Sequence, residues 1–385
     1  MIFPNQIQTL ERHRELLYGL ILLPLVALNS LALGSGHTIY RIIFPLVILC
    51  FLLKLTCDEF TKKQWALIIG FGLLLAITLL INHEKTLLLA FLIVVGSQGV
   101  QRERFLRLAF LIKLVCVAIT ITLANTGITE NYAFYQMKEL NGHWQMTETH
   151  CYGYPVPNQC YMHLFILALL LIYLLHEKLP FLGRLLLYGA LSAGLYFAYT
   201  KLLCRTGWFM WLGAVLLYLC FDIISYIKSE KLKKPVNALF FGGLALLPLV
   251  ILVFTLIMVH YFVPGYEPEN IAWRINEAMT GRIGNIYFAM PDALSHLIAD
   301  RTTNFFDLAL FFIWTNYGLL TLLFCLYIYC SSIYKMCKKN RAYQVLPIAI
   351  MMLYGIGEMV VINASMNVFI LLMASSVFDF TEVDV

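Results

Sequence analysis

The sequence predicts an all-α, polytopic membrane protein of about twelve transmembrane helices, with both ends of the chain on the cytoplasmic side. Three observations predict it. Hydrophobic residues make up 61% of the 385 residues and charged residues only 13%, far from the composition of soluble globular domains. Apolar runs of roughly 20 residues, the length a helix needs to cross a hydrocarbon core of about 30 Å, follow one another along the chain. The connections after every second run carry the excess of Lys and Arg that marks cytoplasmic loops.

In chain order the expected spans are 16–33, 40–56, 65–82, 86–100, 105–125, 158–176, 181–200, 207–227, 236–260, 305–330, 345–362 and 365–378. The stretch before the first, MIFPNQIQTLERHRE, is too long and too acidic for the n-region of a cleaved signal, so the first span is read as retained. Arg102, Arg104 and Arg107, then Lys228, Lys231, Lys233 and Lys234, then Lys335, Lys338, Lys339 and Arg341 all follow even-numbered spans. They account for most of the net charge of +5, which is therefore a topological signal; no nucleic-acid partner is expected. A single membrane domain over 1–385 is the simplest organisation, since no 20–50-residue repeat, heptad pattern or low-complexity tract interrupts it.

Ten cysteines contain no C-x-x-C pair, and most fall within spans as small apolar residues. Cys151 and Cys160 both lie near the expected outer surface, where they could pair. The histidines show no ligand spacing such as H-E-x-x-H, so no metal and no cofactor are expected. His143, His150, His260 and His296 fall outside or near the outer surface, where any of them could serve as a base.

Two connections are long, 126–157 and 261–304, and both follow odd-numbered spans, which places them outside. The first ends in CYGYPVPNQCYMHL, where two prolines stiffen the chain and Asn158 stands where an N-cap would open the sixth helix. The second contains NIAWRINEAMTGRIGNIYFAM. There Ile271, Ile275, Met279 and Ile283 recur every four positions, as in a helix lying on a membrane surface, with Arg274 and Arg282 among its polar residues.

Charges inside or beside apolar spans are the candidates for function. TKLLCRTGWF places Lys201 and Arg205 in the outward connection between the seventh and eighth spans, against the positive-inside bias and with no acid beside them. Both long loops are net acidic, with Glu130, Glu139 and Glu148 in one and Glu267, Glu269, Glu277, Asp292 and Asp300 in the other. Arg205 can therefore pin a loop through a carboxylate, or it can meet a bound anion. A guanidinium matches phosphate oxygens in pairs, and a lipid-linked pyrophosphate suits two or more arginines. Glu358, in YGIGEMVVI, falls within the eleventh span, and Asp307 falls at the start of the tenth, where it also suits a helix dipole. Lys113 and Arg184 lie close enough to the cytoplasmic side to snorkel.

The order of these motifs resembles the Wzy-type polysaccharide polymerases, which share a superfamily with the O-antigen ligases. The resemblance rests on Y-G-Y-P-V-P-N opening a helix, C-R-T-G-W at an outward turn, T-G-R-I in the long loop and D-x10-G in the tenth span, and covers roughly residues 150–330. It maps the family's positions onto Gly153, Pro157, Asn158, Arg205, Gly281, Arg282, Asp307 and Gly318. Cys204 stands where the family has serine, and Leu308 where it has asparagine.

The resemblance implies a GT-C-like helical glycosyltransferase of the bacterial cytoplasmic membrane. Such an enzyme transfers a growing glycan from undecaprenyl pyrophosphate to the non-reducing end of an incoming lipid-linked repeat unit on the outer face. A flippase and a chain-length regulator are the partners it implies, besides membrane lipid. Arg205 and Arg282, helped by Lys201 and Arg274, would stabilise charge on the leaving pyrophosphate without a metal. Glu358, Asp307 and His296, in that order, are candidates for the base that deprotonates the attacking hydroxyl, with Asn158 and Gly281 in the binding set. The alternatives are a ligase of the same superfamily, whose motif has histidine and asparagine where Asp307 and Leu308 stand, a transporter or flippase of lipid-linked oligosaccharide, and a structural membrane subunit.

Overall fold

The computed structural model describes the chain except residues 1–3, 35, 141–142, 266, 268, 280, 294–295, 300–306, 339–340 and 375–385. The elements run α1 (Pro4–Ser30), α2 (Thr38–Cys57), α3 (Lys62–Asn82), α4 (Thr86–Gly96), α5 (Arg102–Asn125), β1 (Ala133–Leu140), β2 (His143–His150), α6 (Pro157–Leu175), α7 (Phe181–Leu202) and α8 (Arg205–Ser225). They continue with α9 (Glu230–His260), α10 (Ile271–Ala278), α11 (Arg282–Ala293), α12 (Ala309–Tyr317), α13 (Leu319–Lys338) and α14 (Val345–Tyr354), followed by 3-10 turns at Met359–Val361 and Val368–Met373.

Among the described residues eight helices are long and apolar enough to cross a membrane: α2, α3, α5, α6, α7, α8, α9 and α13. Large apolar side chains stand exposed along them, such as Leu73 and Leu80 on α3, Leu216 on α8 and Leu239 on α9. Lipid is the solvent that accepts such faces.

Four of the twelve expected spans have no counterpart among these eight helices. The 27-residue α1 carries Arg12, His13, Arg14 and Glu15 in its first half, and α4 has 11 residues, about half of what a crossing needs. The eleventh and twelfth spans become the ten-residue α14 and an irregular stretch after it. Gly355 and Gly357 end the helix. Beyond them the polar side chains bond to nearby backbone, with Asn367 Nδ2 donating to the Val361 carbonyl at 2.8 Å and Met366 N donating to Asn363 Oδ1 at 3.3 Å. Such local bonds compete with helix formation.

The tenth span is also broken. Gly318 adopts φ +84°, and a Cβ there would lie 2.6 Å from the Ile298 Cα and the Leu297 carbonyl oxygen. Only glycine lets α12 turn into α13 with the 296–298 backbone against it, where Leu319 N and Leu320 N donate to the carbonyls of His296 and Leu297.

The described parts of the long loops hold regular structure. The first holds the β1–β2 hairpin, antiparallel with Ala133 opposite His150 and Leu140 opposite His143. The second holds α10 and α11 rather than one surface helix. Its four-residue stripe is cut at Met279, and Gly281 reverses the chain at φ +85° with its N–H on the Asn276 carbonyl at 2.8 Å. Ile283 and Ile286 are buried while Ile271 is 69% exposed, so α11 packs inward by way of Gly284, which sits against the Phe262 ring.

Two compact units emerge. Among the described residues, one contains the chain up to Asp58 and Gly99–Asp222; the other contains Glu59–Gln98 and the chain from Ile223 to Ala374. In the first unit α6 is the most deeply buried long helix, and α8 meets it through Gly207, where a Cβ would come within 2.3 Å of Tyr161 Cδ1. Gly207→Ala should lower the melting temperature of the purified chain by the equivalent of about 1–3 kcal/mol of overpacking. Adding Tyr161→Ala should return part of that loss; a Gly207→Ala chain that melts like the parent contradicts this packing.

Candidate functional site

Three segments of the second unit bring their charges together. Arg282 is the first residue of α11, and its side chain is 8% exposed. Its Nη1 donates to the Met279 carbonyl at 3.0 Å, which fixes the guanidinium against the preceding turn. Asp307 Oδ2 lies 3.2 Å from Arg282 Nε, and Glu358 Oε1 lies 3.8 Å from Arg282 Nη2.

The backbone explains the meeting. Ala309 N donates to the Gly355 carbonyl at 2.9 Å, so the start of α12 is joined to the end of α14. Asp307 precedes that bond by two residues and Glu358 follows it by three. Gly355 permits the approach, since a Cβ there would lie 2.5 Å from Val361 Cγ2 and 3.2 Å from Ala309 Cβ. The carboxylates are not equivalent: Asp307 is 56% exposed and Glu358 15%.

The remaining candidates of this unit lie on other segments. Arg274 is exposed on α10, before the break at Met279. The His296 backbone is held at the far end of α12, by Leu319, and a nine-residue helix is about 13 Å long. Gly281 contributes conformation, allowing Arg282 to begin a new helix.

In the first unit, Arg205 is exposed and is likewise the first residue of a helix, α8, after Leu203 has taken a left-handed conformation at φ 50°. Lys201 is exposed, with its Nζ 5.7 Å from the Phe197 ring centroid. Asn158 does not cap α6: Val156 is the cap residue and Pro157 the first helical position, so Asn158 sits within the first turn. The preceding turn requires Gly153, at φ +84° with a Cβ position 2.9 Å from Thr120 Cγ2. Cys151 and Cys160 are buried free thiols and form no disulfide.

Two buried polar groups differ from the snorkelling expected of them. Lys113 is fully buried, with Nζ 3.0 Å from His163 Nδ1 and 3.3 Å from Ser30 Oγ. Arg184 pairs with Asp222, which also accepts from Tyr188 at 3.0 Å and contacts His176 at 3.0 Å. Asp222 was readable as an acid within the 207–227 span; His163 carried no signal beyond its place in an apolar run. Both groups tie helices of the first unit together.

Comparison with protein-family models, with curated proteins and with solved structures finds no match to this chain. Because Asp307 is mostly exposed, Asp307→Asn should change stability by less than about 1 kcal/mol. Arg282→Gln leaves Glu358 partly buried beside a neutral group and should cost about 1–3 kcal/mol. Melting curves of the purified variants in one detergent check this, and adding Glu358→Gln to Arg282→Gln should cost less than the two single losses summed.

Proposed function

We propose that the chain is a polysaccharide polymerase that uses a polyprenyl-pyrophosphate-linked donor at the outer face of the bacterial cytoplasmic membrane. The observation that supports this most is the convergence of Arg282, Glu358 and Asp307 from three separate segments. It sets a fixed cation beside two carboxylates of different exposure. The order of the motifs, which resembles the Wzy-type polymerases, supports the same reading.

In this reading the acceptor's sugar hydroxyl attacks the anomeric carbon of the donor glycan. The new glycosidic bond forms as the bond to the pyrophosphate oxygen breaks, and the departing oxygen keeps the electron pair. Arg282 stabilises the charge that grows on the pyrophosphate; a cation fixed in a partly dry site acts more strongly than one in water. Arg205 is a second cationic candidate by motif order alone. The hydroxyl proton passes to a carboxylate. Glu358 is better placed for this than Asp307, because it is the more shielded from bulk water of the two. His296 keeps the third place, at the other end of α12.

Arg282 then has two successive contacts. Before substrate arrives, the carboxylates hold its guanidinium in place; when the pyrophosphate is bound, the same fork exchanges a carboxylate for phosphate oxygens.

A transporter of lipid-linked oligosaccharide is the second reading, and one observation favours it. The short helices α4, α12 and α14 and the irregular backbone after Tyr354 resemble the broken helices that form transporter substrate sites. The test is product size in the native host after deletion and complementation with the parent, Arg205→Ala, Arg282→Ala or Glu358→Gln. Single-repeat glycans from the deletion and the variants, at normal membrane levels of each protein, are the expected result. Lipid-linked units retained on the cytoplasmic face would favour the transporter. Long lipid-linked chains that are never transferred would indicate a ligase, and full-length polymer from both arginine variants would overturn the reading.

A further inference from the structure

We propose that the corner between α7 and α8 binds the phosphate of an anionic phospholipid, with Lys201 as the cation and Tyr196, Tyr199 and Trp208 as its aromatic shelf. The proposal concerns the first unit alone and stands independently of the reaction at Arg282.

The sequence of α7 divides its surface into two faces. Leu182, Leu186, Ala193, Phe197 and Lys201 follow helical spacing and are all exposed, with Leu182 at 67%, Leu186 at 68% and Phe197 at 66%. Tyr188, Leu195 and Leu202 face the other way and are buried. In a helix apolar and long enough to cross a membrane, the exposed stripe is the lipid-facing one. Lys201 ends that stripe.

Its ammonium stays on the same side, 5.7 Å from the Phe197 ring centroid, and so points along the lipid-facing surface. A lysine at the end of such a stripe lies with its stem on apolar surface and its charge at the level of the head groups. The aromatic side chains beside it fix that level. Trp208 lies 5.3 Å from Tyr196 and 6.1 Å from Tyr199, nearly parallel to the latter at 18°. Tyrosine and tryptophan rings, apolar in body and polar at one edge, concentrate at this depth.

Charge and ligand shape select the partner. No acidic residue occurs between Tyr196 and Phe209, so the charge of Lys201 suits an anion from outside the corner. The exposed Arg205 opens α8 at the same corner, but it is Lys201 that ends the lipid-facing stripe, and a compact ammonium suits a single phosphate, whereas a diphosphate is better matched by the planar fork of arginine. The stripe leads into bulk lipid, where the abundant single phosphates are those of phospholipids. Lys201, first read as an auxiliary in pyrophosphate binding, is thereby assigned to the bilayer.

The experiment reconstitutes the full chain in phosphatidylcholine bilayers containing increasing fractions of brominated phosphatidylglycerol. Quenching of Trp208 is isolated as the difference from Trp208→Phe. The parent should be quenched at a lower fraction of brominated phosphatidylglycerol than of brominated phosphatidylcholine. Lys201→Gln should need about five times more phosphatidylglycerol, the effect of one basic residue at an anionic surface, and Lys201→Arg should stay close to the parent. Equal melting temperatures show that the variants fold. An unchanged curve for Lys201→Gln, or equal quenching by the two lipids, overturns the proposal. Relief of quenching by a polyprenyl phosphate but not by unlabelled phosphatidylglycerol also overturns it and gives the corner to the lipid carrier.

Discussion

Backbone polar groups find no partners in hydrocarbon, and most of this structure follows from that constraint. A helix satisfies its own bonds, so α2, α3, α5 and the other long helices can show leucine to the lipid. Backbone that is not helical must find its partners in protein. The stretch after Tyr354 does so: Val360, Ile362, Ala364 and Met366 are buried, and asparagine side chains take up backbone bonds within the stretch. The same local order fixes Glu358, three residues past the Gly355 carbonyl that joins α14 to α12. The candidate site thus arises where a membrane helix stops short.

The buried charges are met in different ways. Asp58 accepts from Lys54 at 2.6 and 2.7 Å and lies 3.3 Å from Arg14, while Asp222 gathers Arg184, His176 and Tyr188. Lys113 relies on an imidazole and a hydroxyl. These groups hold helices to one another within the first unit, and their removal would be felt first in stability. The Arg282 group differs in having one mostly exposed member, Asp307, which leaves a side open to a ligand.

The helical class and most boundaries were legible because hydropathy at this length scale reports directly on solvent. Residues 181–200 and 236–260 reappear within α7 and α9. Short elements were harder to read. The hairpin had a sequence signal, Asn141-Gly142 between two runs of strand-forming residues, that the search for apolar runs passed over. Gly318 and Gly355 mark the breaks in the tenth and eleventh spans, but a lone glycine is common in membrane helices and does not announce a break. Arg282, Glu358 and Asp307 were each visible as charges in unusual places. Their meeting was not visible, because it depends on a bond between Ala309 and Gly355 that no local pattern encodes. The start of the sixth helix was placed two residues too late, with Asn158 as the cap, because proline suits the first helical position and moves the cap to Val156.

The central claim is that Arg282, held between two carboxylates, is a seat for a lipid diphosphate. Calorimetric titration of the purified chain with a short-chain isoprenyl diphosphate tests it most directly, beside the same titration of Arg282→Gln. The account predicts saturable binding by the parent and at least about a tenfold loss in the variant, the effect of removing a charge-assisted bidentate contact. Equal affinity in the two proteins, both folded, would contradict it.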